Sequence, residues 1–240
     1  MDIGIKIFSK DLAKLSSFVD LFSFVELHIL KDFDYAKLQE FSVPFNLHVP
    51  HDKSGFDPGV KNNLNEAIIQ NSLEVADLIN AQNIIVHPGI NSNLDAKQNM
   101  YDFFDTYFDT RMLIENCPNN EFDFLCSDPT EMKEFIKHYN TSFLLDTGHA
   151  IIKANKEGIL PIKMIRDFQL LNPKGYHVYG CYEGGAPFAH HKHFHDVKDD
   201  YKYLSILNPD AFFTLETEWV SKSTRVDYEK NISFLQSFFM

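Results

Sequence analysis

Short apolar runs, rich in β-branched and aromatic residues, recur along the chain and end in polar or Gly/Pro breaks. They begin near Ile3 (IGIKIF), Phe24 (FVELHIL), Phe45 (FNLHV), Asn83 (NIIVH), Arg111 (RMLIEN), Ser142 (SFLLD), Tyr176 (YHVYG) and Phe212 (FFTLE). Runs of this length and makeup predict strands. Several lack alternation, as strands covered on both faces do. Between them the apolar positions change to helical spacing. Leu12 to Leu21 and Tyr35 to Phe41 predict short helices. Lys61 to Ala81 predicts a long one, with Leu64, Ile68, Leu73, Ala76 and Ile79 on one face. Ser127-Asp128-Pro129 places a capping side chain ahead of a first-turn proline and opens another helix. Val226 to Phe239 predicts a closing helix with Ile232, Leu235 and Phe239 inward. Strands alternating with helices in this way predict an α/β fold, a single (β/α)8 TIM barrel spanning residues 1–240. The competing architecture is an open doubly wound sheet, but no G-x-G-x-x-G follows the first strand. The longest irregular stretch runs from about Cys181 to Lys198.

Six of these runs end in metal-binding side chains: His48, His87, Glu115, Asp146 with His149 just beyond it, His177 and Glu216. The gaps between successive ends are 28 to 39 residues, about one strand–helix repeat. Ends in register predict a ring of side chains at the C-terminal mouth of a barrel, where such folds keep their chemistry. Glu115, Asp146, His177 and Glu216 make a mixed oxygen and nitrogen shell suited to Mn²⁺, Zn²⁺, Co²⁺ or Mg²⁺. The absence of thiolates excludes a structural zinc of the cysteine type. Any one of these residues alone reads as a strand-end polar group bonded to a neighbouring loop. Together, without a cation, they would be too costly to gather. His48 and His87 either complete a second site with Glu115 as the bridge or hydrogen-bond a substrate. In the segment from Phe188 to His195, the histidines His190, His191, His193 and His195 would hold a further metal, grip a substrate, form a lid, or simply be solvated. His51 is placed to reach the mouth, whereas His28 and His138 read as structural.

With 44% hydrophobic residues and 23 Phe in 240 residues, the chain can fill one continuous core. A net charge of −12 repels a phosphate backbone at long range, although bound divalent ions would reverse the local sign. The basic residues Lys53, Lys153, Lys156 and Lys192 are scattered among acids and form no stripe. Cys117, Cys126 and Cys181 make no C-x-x-C pair and read as reduced thiols. With no signal-peptide pattern and no membrane-length apolar run, the expectation is a cytoplasmic protein without a membrane partner.

The chain resembles the xylose-isomerase-like barrel superfamily, which holds sugar and sugar-phosphate isomerases and epimerases on one side and endonuclease IV on the other. The likeness covers nearly the whole chain. It is carried by His48-Val49-Pro50, His87-Pro88-Gly89, Ile114-Glu115-Asn116, Asp146-Thr147-Gly148-His149-Ala150, His177 and Leu215-Glu216-Thr217. The isomerase branch implies one divalent ion held by Glu115, Asp146, His177 and Glu216. Glu115 and Glu216 would then exchange a proton with a ketose through an enediolate. The endonuclease branch implies a zinc cluster: His48, His87 and Glu115 in one site, Glu115, Asp146, His177 and Glu216 in a second, His149 and His190 in a third. The range implied is one to three ions of Zn, Mn, Co or Mg. His51, His191 and His193 are the expected substrate contacts. The chain departs from the endonuclease pattern at Cys117-Pro118-Asn119-Asn120, at Tyr179-Gly180-Cys181 and at Phe188, and from the isomerase pattern at Gly180. The expected function is a metal-dependent isomerase or epimerase acting on a small sugar or sugar phosphate. The alternatives are an endonuclease IV-like, zinc-dependent AP endonuclease, for which DNA is the partner, and a non-enzymatic metal- or sugar-binding barrel.

Overall fold

The strands are β1 (Asp2–Phe8), β2 (Phe24–His28), β3 (Phe45–His48), β4 (Ile84–Val86), β5 (Met112–Glu115), β6 (Ser142–Asp146), β7 (Gly175–Val178) and β8 (Phe212–Leu215). Each falls within a residue or two of a predicted run. All pair in parallel in chain order, and β8 returns to β1, with Asp2 opposite Phe212 and Ile5 opposite Leu215. That last pairing closes the sheet, so the barrel expectation holds and the open sheet does not. The structure is a computed structural model that describes residues 1–30, 34–118, 122–181, 191–197, 201–217 and 222–240.

Among the described residues the α-helices are α1 (Leu12–Leu15), α2 (Asn63–Leu78), α3 (Ala96–Tyr107), α4 (Pro129–Tyr139), α5 (Thr147–Glu157), α6 (Pro161–Gln169) and α7 (Arg225–Gln236). The first two crossovers correct the sequence expectation. Leu12 to Leu21 breaks into α1 and a 3₁₀ turn at Val19–Leu21, and the next crossover is a 3₁₀ turn at Tyr35–Glu40. Connections this short must turn back onto the next strand before a longer helix can form. The predicted cap is present: Asp128 accepts from the N–H groups of Thr130 and Glu131, with Pro129 opening α4. On α7, Tyr228, Asn231 and Leu235 are the buried side chains and Ile232 is only partly buried; the helix ends at Gln236, short of Phe239, which also packs partly buried against the core.

Most of the core lies between sheet and helices, where Ile5, Leu27, Leu47, Val86, Ile114, Leu145, Tyr176 and Phe213 point outward from their strands. Ile85, Leu113 and Leu144 form a separate cluster with Phe212 inside the barrel. Phe212 meets Phe24 edge-on at 5.4 Å, toward the N-terminal end. Two glycines make room for these rings, because a Cβ on Gly4 would collide with Phe24 and one on Gly175 with Phe212. The opposite end of the interior is polar. Among the described residues no helix is long and apolar enough to cross a membrane.

Candidate metal centre

The centre is organised around Glu115, at the C-terminal end of β5 and 1% exposed. Its Oε2 lies 3.1 Å from His48 Nε2 and 3.4 Å from His87 Nε2. Its Oε1 lies 3.2 Å from His149 Nδ1 and 3.5 Å from His177 Nδ1. One carboxylate thus serves two clusters. In His48, His87 and Glu115, and again in Glu115, Asp146, His177 and Glu216, the ligand atoms offered lie within 4.8 Å of one another.

Most of these side chains are held at one atom and offered at another. His48 Nδ1 lies 2.8 Å from the Val49 carbonyl, which can only accept, so Nε2 carries the lone pair of the neutral ring. Asp146 caps α5: its Oδ1 accepts from the His149 N–H at 2.7 Å and from the Tyr179 hydroxyl at 2.9 Å. His177 Nε2 bonds both oxygens of Glu26, at 2.8 and 3.0 Å. Glu216 Oε1 accepts from Lys6 Nζ at 2.7 Å. The remaining atoms, Asp146 Oδ2, His177 Nδ1 and Glu216 Oε2, are buried without a hydrogen-bond partner. His177 Nδ1 and Glu216 Oε2 lie 2.9 Å apart yet form no hydrogen bond. Buried polar atoms are rarely left unpaired. Unpaired oxygen and nitrogen donors converging on one point fit a divalent cation.

Electrostatics agree. Among the described residues four carboxylates converge here, Glu26, Glu115, Asp146 and Glu216, against one lysine, Lys6, leaving three negative charges uncompensated. Without a cation, protons fill the deficit. Burial opposes charging His149, but Asp146, Glu115 and Glu216 outweigh it and push the imidazole up to about 9. His177 is likewise held well above the usual range by Glu26, Glu115 and Glu216 against its burial. His48 goes the other way: burial, then Lys6, pushes it down to about 4. His87 is lowered chiefly by burial. The first cluster therefore presents neutral imidazoles, while His177 in the second would have to give up a proton to hold a metal.

The other predicted residues are less uniform. His51 is partly exposed, pairs with Asp52 at 3.3 Å and stacks on His87 with centroids 5.5 Å apart, so it does reach the mouth. His191 packs on Tyr179 at 4.5 Å, with Nδ1 3.0 Å from the Glu216 carbonyl. His149 joins neither cluster. Its Nδ1 lies 2.8 Å from the Asn116 carbonyl and steadies Glu115. His193 corrects the expectation of a substrate contact. Asn231 donates from Nδ2 to His193 Nδ1 at 2.6 Å, because its Oδ1 already accepts from the Phe194 N–H. His193 Nε2 then donates to Ser223 Oγ at 2.9 Å. Both ring nitrogens are spent on tying the loop to α7 and to the residues just before it. His195 lies near Asp227 at 3.5 Å, and His138 is exposed on α4. His28 packs on His48 and His51, each at 5.1 Å. His190 and Phe188 lie outside the described residues.

Lys6, Glu26 and Thr214 were not singled out by sequence, and Asn116 and Tyr179 entered only as members of quoted runs, without a role of their own. The available signal was a polar residue inside an apolar strand run, as in IKI and VEL.

No family model matches the chain, and no curated protein matches its sequence. Solved structures match its fold from end to end. Endonuclease IV from Thermus thermophilus aligns with a TM-score of 0.72 at 15% identity, over 100% of this chain and 99% of that one. The IolI protein with a bound zinc atom gives 0.65 at 14% identity, over 100% and 99%. A xylose isomerase domain containing protein from Salmonella typhimurium gives 0.62 at 10%, over 98% and 96%. The likeness is one of fold, a closed (β/α)8 barrel shared with these proteins.

Proposed function

We propose that the chain is a divalent-metal-dependent phosphoester hydrolase with a two-site centre bridged by Glu115, and that abasic DNA, the substrate class implied by endonuclease IV, is its first candidate substrate. The observation that carries this reading is the division of Glu115 between two clusters, Oε2 toward His48 and His87 and Oε1 toward His177. A bridging carboxylate is what a two-metal site requires. Such sites recur in phosphoester-cleaving enzymes, where divalent ions lower the pKa of water and neutralise charge on a phosphoryl oxygen. The charge balance favours the same substrate class. Against three uncompensated negative charges, two divalent ions leave the mouth net positive and receptive to an anion. One ion would not.

The chain's own residues supply orientation. Lys6 holds one oxygen of Glu216, and Tyr179 and the His149 N–H hold one oxygen of Asp146, so each carboxylate offers its other oxygen in a fixed direction. His51 beside His87, and His191 beside Glu216, are placed to bond a substrate entering over either cluster.

The isomerase or epimerase reading, the first expectation from sequence, becomes the second here, favoured by Glu216. This carboxylate is 16% exposed and held ionised by Lys6, which suits a base beside one ion. Glu115 suits that role less, being 1% exposed with both oxygens occupied. The deciding experiment incubates zinc- or manganese-loaded protein with duplex DNA carrying one abasic site, and in parallel with ketoses and ketose phosphates in D₂O. Strand cleavage that disappears in Glu115→Gln supports the hydrolase. Deuterium on a sugar carbon with intact DNA overturns it in favour of the isomerase.

A further inference from the structure

Glu26 is a fully buried carboxylate on β2 that lies in neither metal cluster. Its two oxygens accept from His177 Nε2 at 2.8 and 3.0 Å, and Oε2 also accepts from the Thr214 hydroxyl at 3.0 Å. Lys6 stands opposite Glu26 in the β1–β2 register, and Thr214 opposite His177 in the β7–β8 register. Glu26 and His177 are not on neighbouring strands. Their contact crosses the barrel interior, past β1 and β8. An apolar residue would fill such a position without the desolvation penalty of a buried charge, so the carboxylate calls for a specific role.

That role follows from hydrogen-bond chemistry. An ionised carboxylate can only accept, so Nε2 of His177 must carry a hydrogen. In the neutral ring a metal requires, Nδ1 is then the atom with the lone pair. His177 Nδ1 is the nitrogen that lies 2.9 Å from Glu216 Oε2, 3.5 Å from Glu115 Oε1 and 3.7 Å from Asp146 Oδ2, with no hydrogen bond of its own. The two-oxygen grip of Glu26, steadied by Thr214, also fixes the ring direction. A carboxylate behind a ligating imidazole sets its tautomer and makes it more basic. We infer that Glu26 is the positioning residue of the second cluster, fixing His177 so that Nδ1 faces the metal. This rests on the metal centre of the proposed function and not on its reaction.

The test uses zinc and cadmium as probes. Zinc affinity is measured by chelator competition in the wild type and in Glu26→Leu, Glu26→Gln and Thr214→Val, resolving the two clusters as separate classes of site. Glu26→Leu leaves Nε2–H without an acceptor and is expected to weaken the second class by about 10- to 100-fold, the usual effect of removing such a partner. Glu26→Gln keeps an acceptor oxygen and should recover most of that loss. The class formed by His48, His87 and Glu115 should change least, which a general loss of packing would not produce. If the leucine variant does not fold, ¹⁵N-histidine spectra of wild-type protein loaded with ¹¹³Cd decide the matter. Cadmium coupling at His177 Nδ1 with a proton on Nε2 is expected. Coupling at Nε2, or wild-type zinc affinity in Glu26→Leu, overturns the inference while leaving the centre intact. Failure of the wild type to bind either ion overturns both.

Discussion

The side-chain amide of Asn116 is bonded at both ends to the backbone of Asp146: Oδ1 accepts from the N–H at 2.7 Å, and Nδ2 donates to the carbonyl at 3.1 Å. Asn116 directly follows Glu115, so this two-point bond locks the ends of β5 and β6 together and fixes the spacing of two candidate ligands.

Asn116→Leu should therefore affect both stability and metal. The position is 1% exposed, so an apolar side chain of similar size strands two backbone groups of Asp146 in the interior. A loss on the order of 1–3 kcal/mol in urea denaturation is expected, together with weaker zinc binding. A variant that loses stability but keeps full zinc affinity would show that the bond holds the strands without setting the site.

Metal content should follow the clusters. Glu115→Gln, which touches both, should lower bound zinc or manganese more than Asp146→Asn, which touches one. His138→Ala, on the exposed face of α4, should leave it unchanged. A metal that binds only the folded chain should raise the wild-type Tm with its concentration. Elemental analysis showing no metal in the wild type, with no shift in Tm, would remove the centre.

Much of this centre was legible because a barrel brings its strand ends into one ring. His48, His87, Glu115, Asp146, His177 and Glu216 could be read from strand-end position alone. Lys6 and Glu26 could not. Inside an apolar run, a single charge reads as the solvent side of an alternating strand, and only closure turns that face inward. His193 failed for a different reason. Adjacent histidines in an irregular loop carry no period, so nothing in the sequence separates the ring that bonds Asn231 from the one that packs on Tyr179. The first two crossovers were overread as helices because apolar spacing cannot register how few residues the return allows.

The metal-free protein should lose stability as pH rises from about 6.5 to about 9. His149 has a folded pKa of about 9, above its unfolded value, so its contribution is complete below about 6.5 and disappears as pH passes 9. His177, also raised, acts in the same sense. His48, pushed down to about 4, contributes above about 6.5 and loses that contribution as pH falls toward 4. Tm should therefore peak near the crossover, and His149→Gln should flatten the alkaline limb. An unchanged alkaline slope in that variant would show that other groups carry it.

His193→Ala should behave as a packing defect. It removes the partner of Asn231 and Ser223 beneath α7, and a loss of about 1–3 kcal/mol is expected with zinc binding retained. His191→Ala, beside Glu216, should keep stability and weaken substrate affinity instead. Loss of zinc in His193→Ala comparable to that in His177→Ala would return His193 to the site.

Lys6 gives the sharpest test of the charge argument. Its ammonium is 2.7 Å from Glu216 Oε1, and burial opposes its charge, yet Glu216, Glu115 and Glu26 hold its pKa above the usual lysine range. Lys6→Met keeps the length of the side chain and removes, among the described residues, the one permanent cation set amid four carboxylates. Breaking a buried pair from one side typically costs about 3–5 kcal/mol, so the metal-free variant should melt well below the wild type. Zinc then has one more negative charge to neutralise, and the variant should gain more in Tm on loading than the wild type does. Equal metal-free stability would mean that Glu216 is satisfied without Lys6. A smaller gain on loading would mean that Lys6 aids the centre by holding Glu216 in position, with its charge secondary.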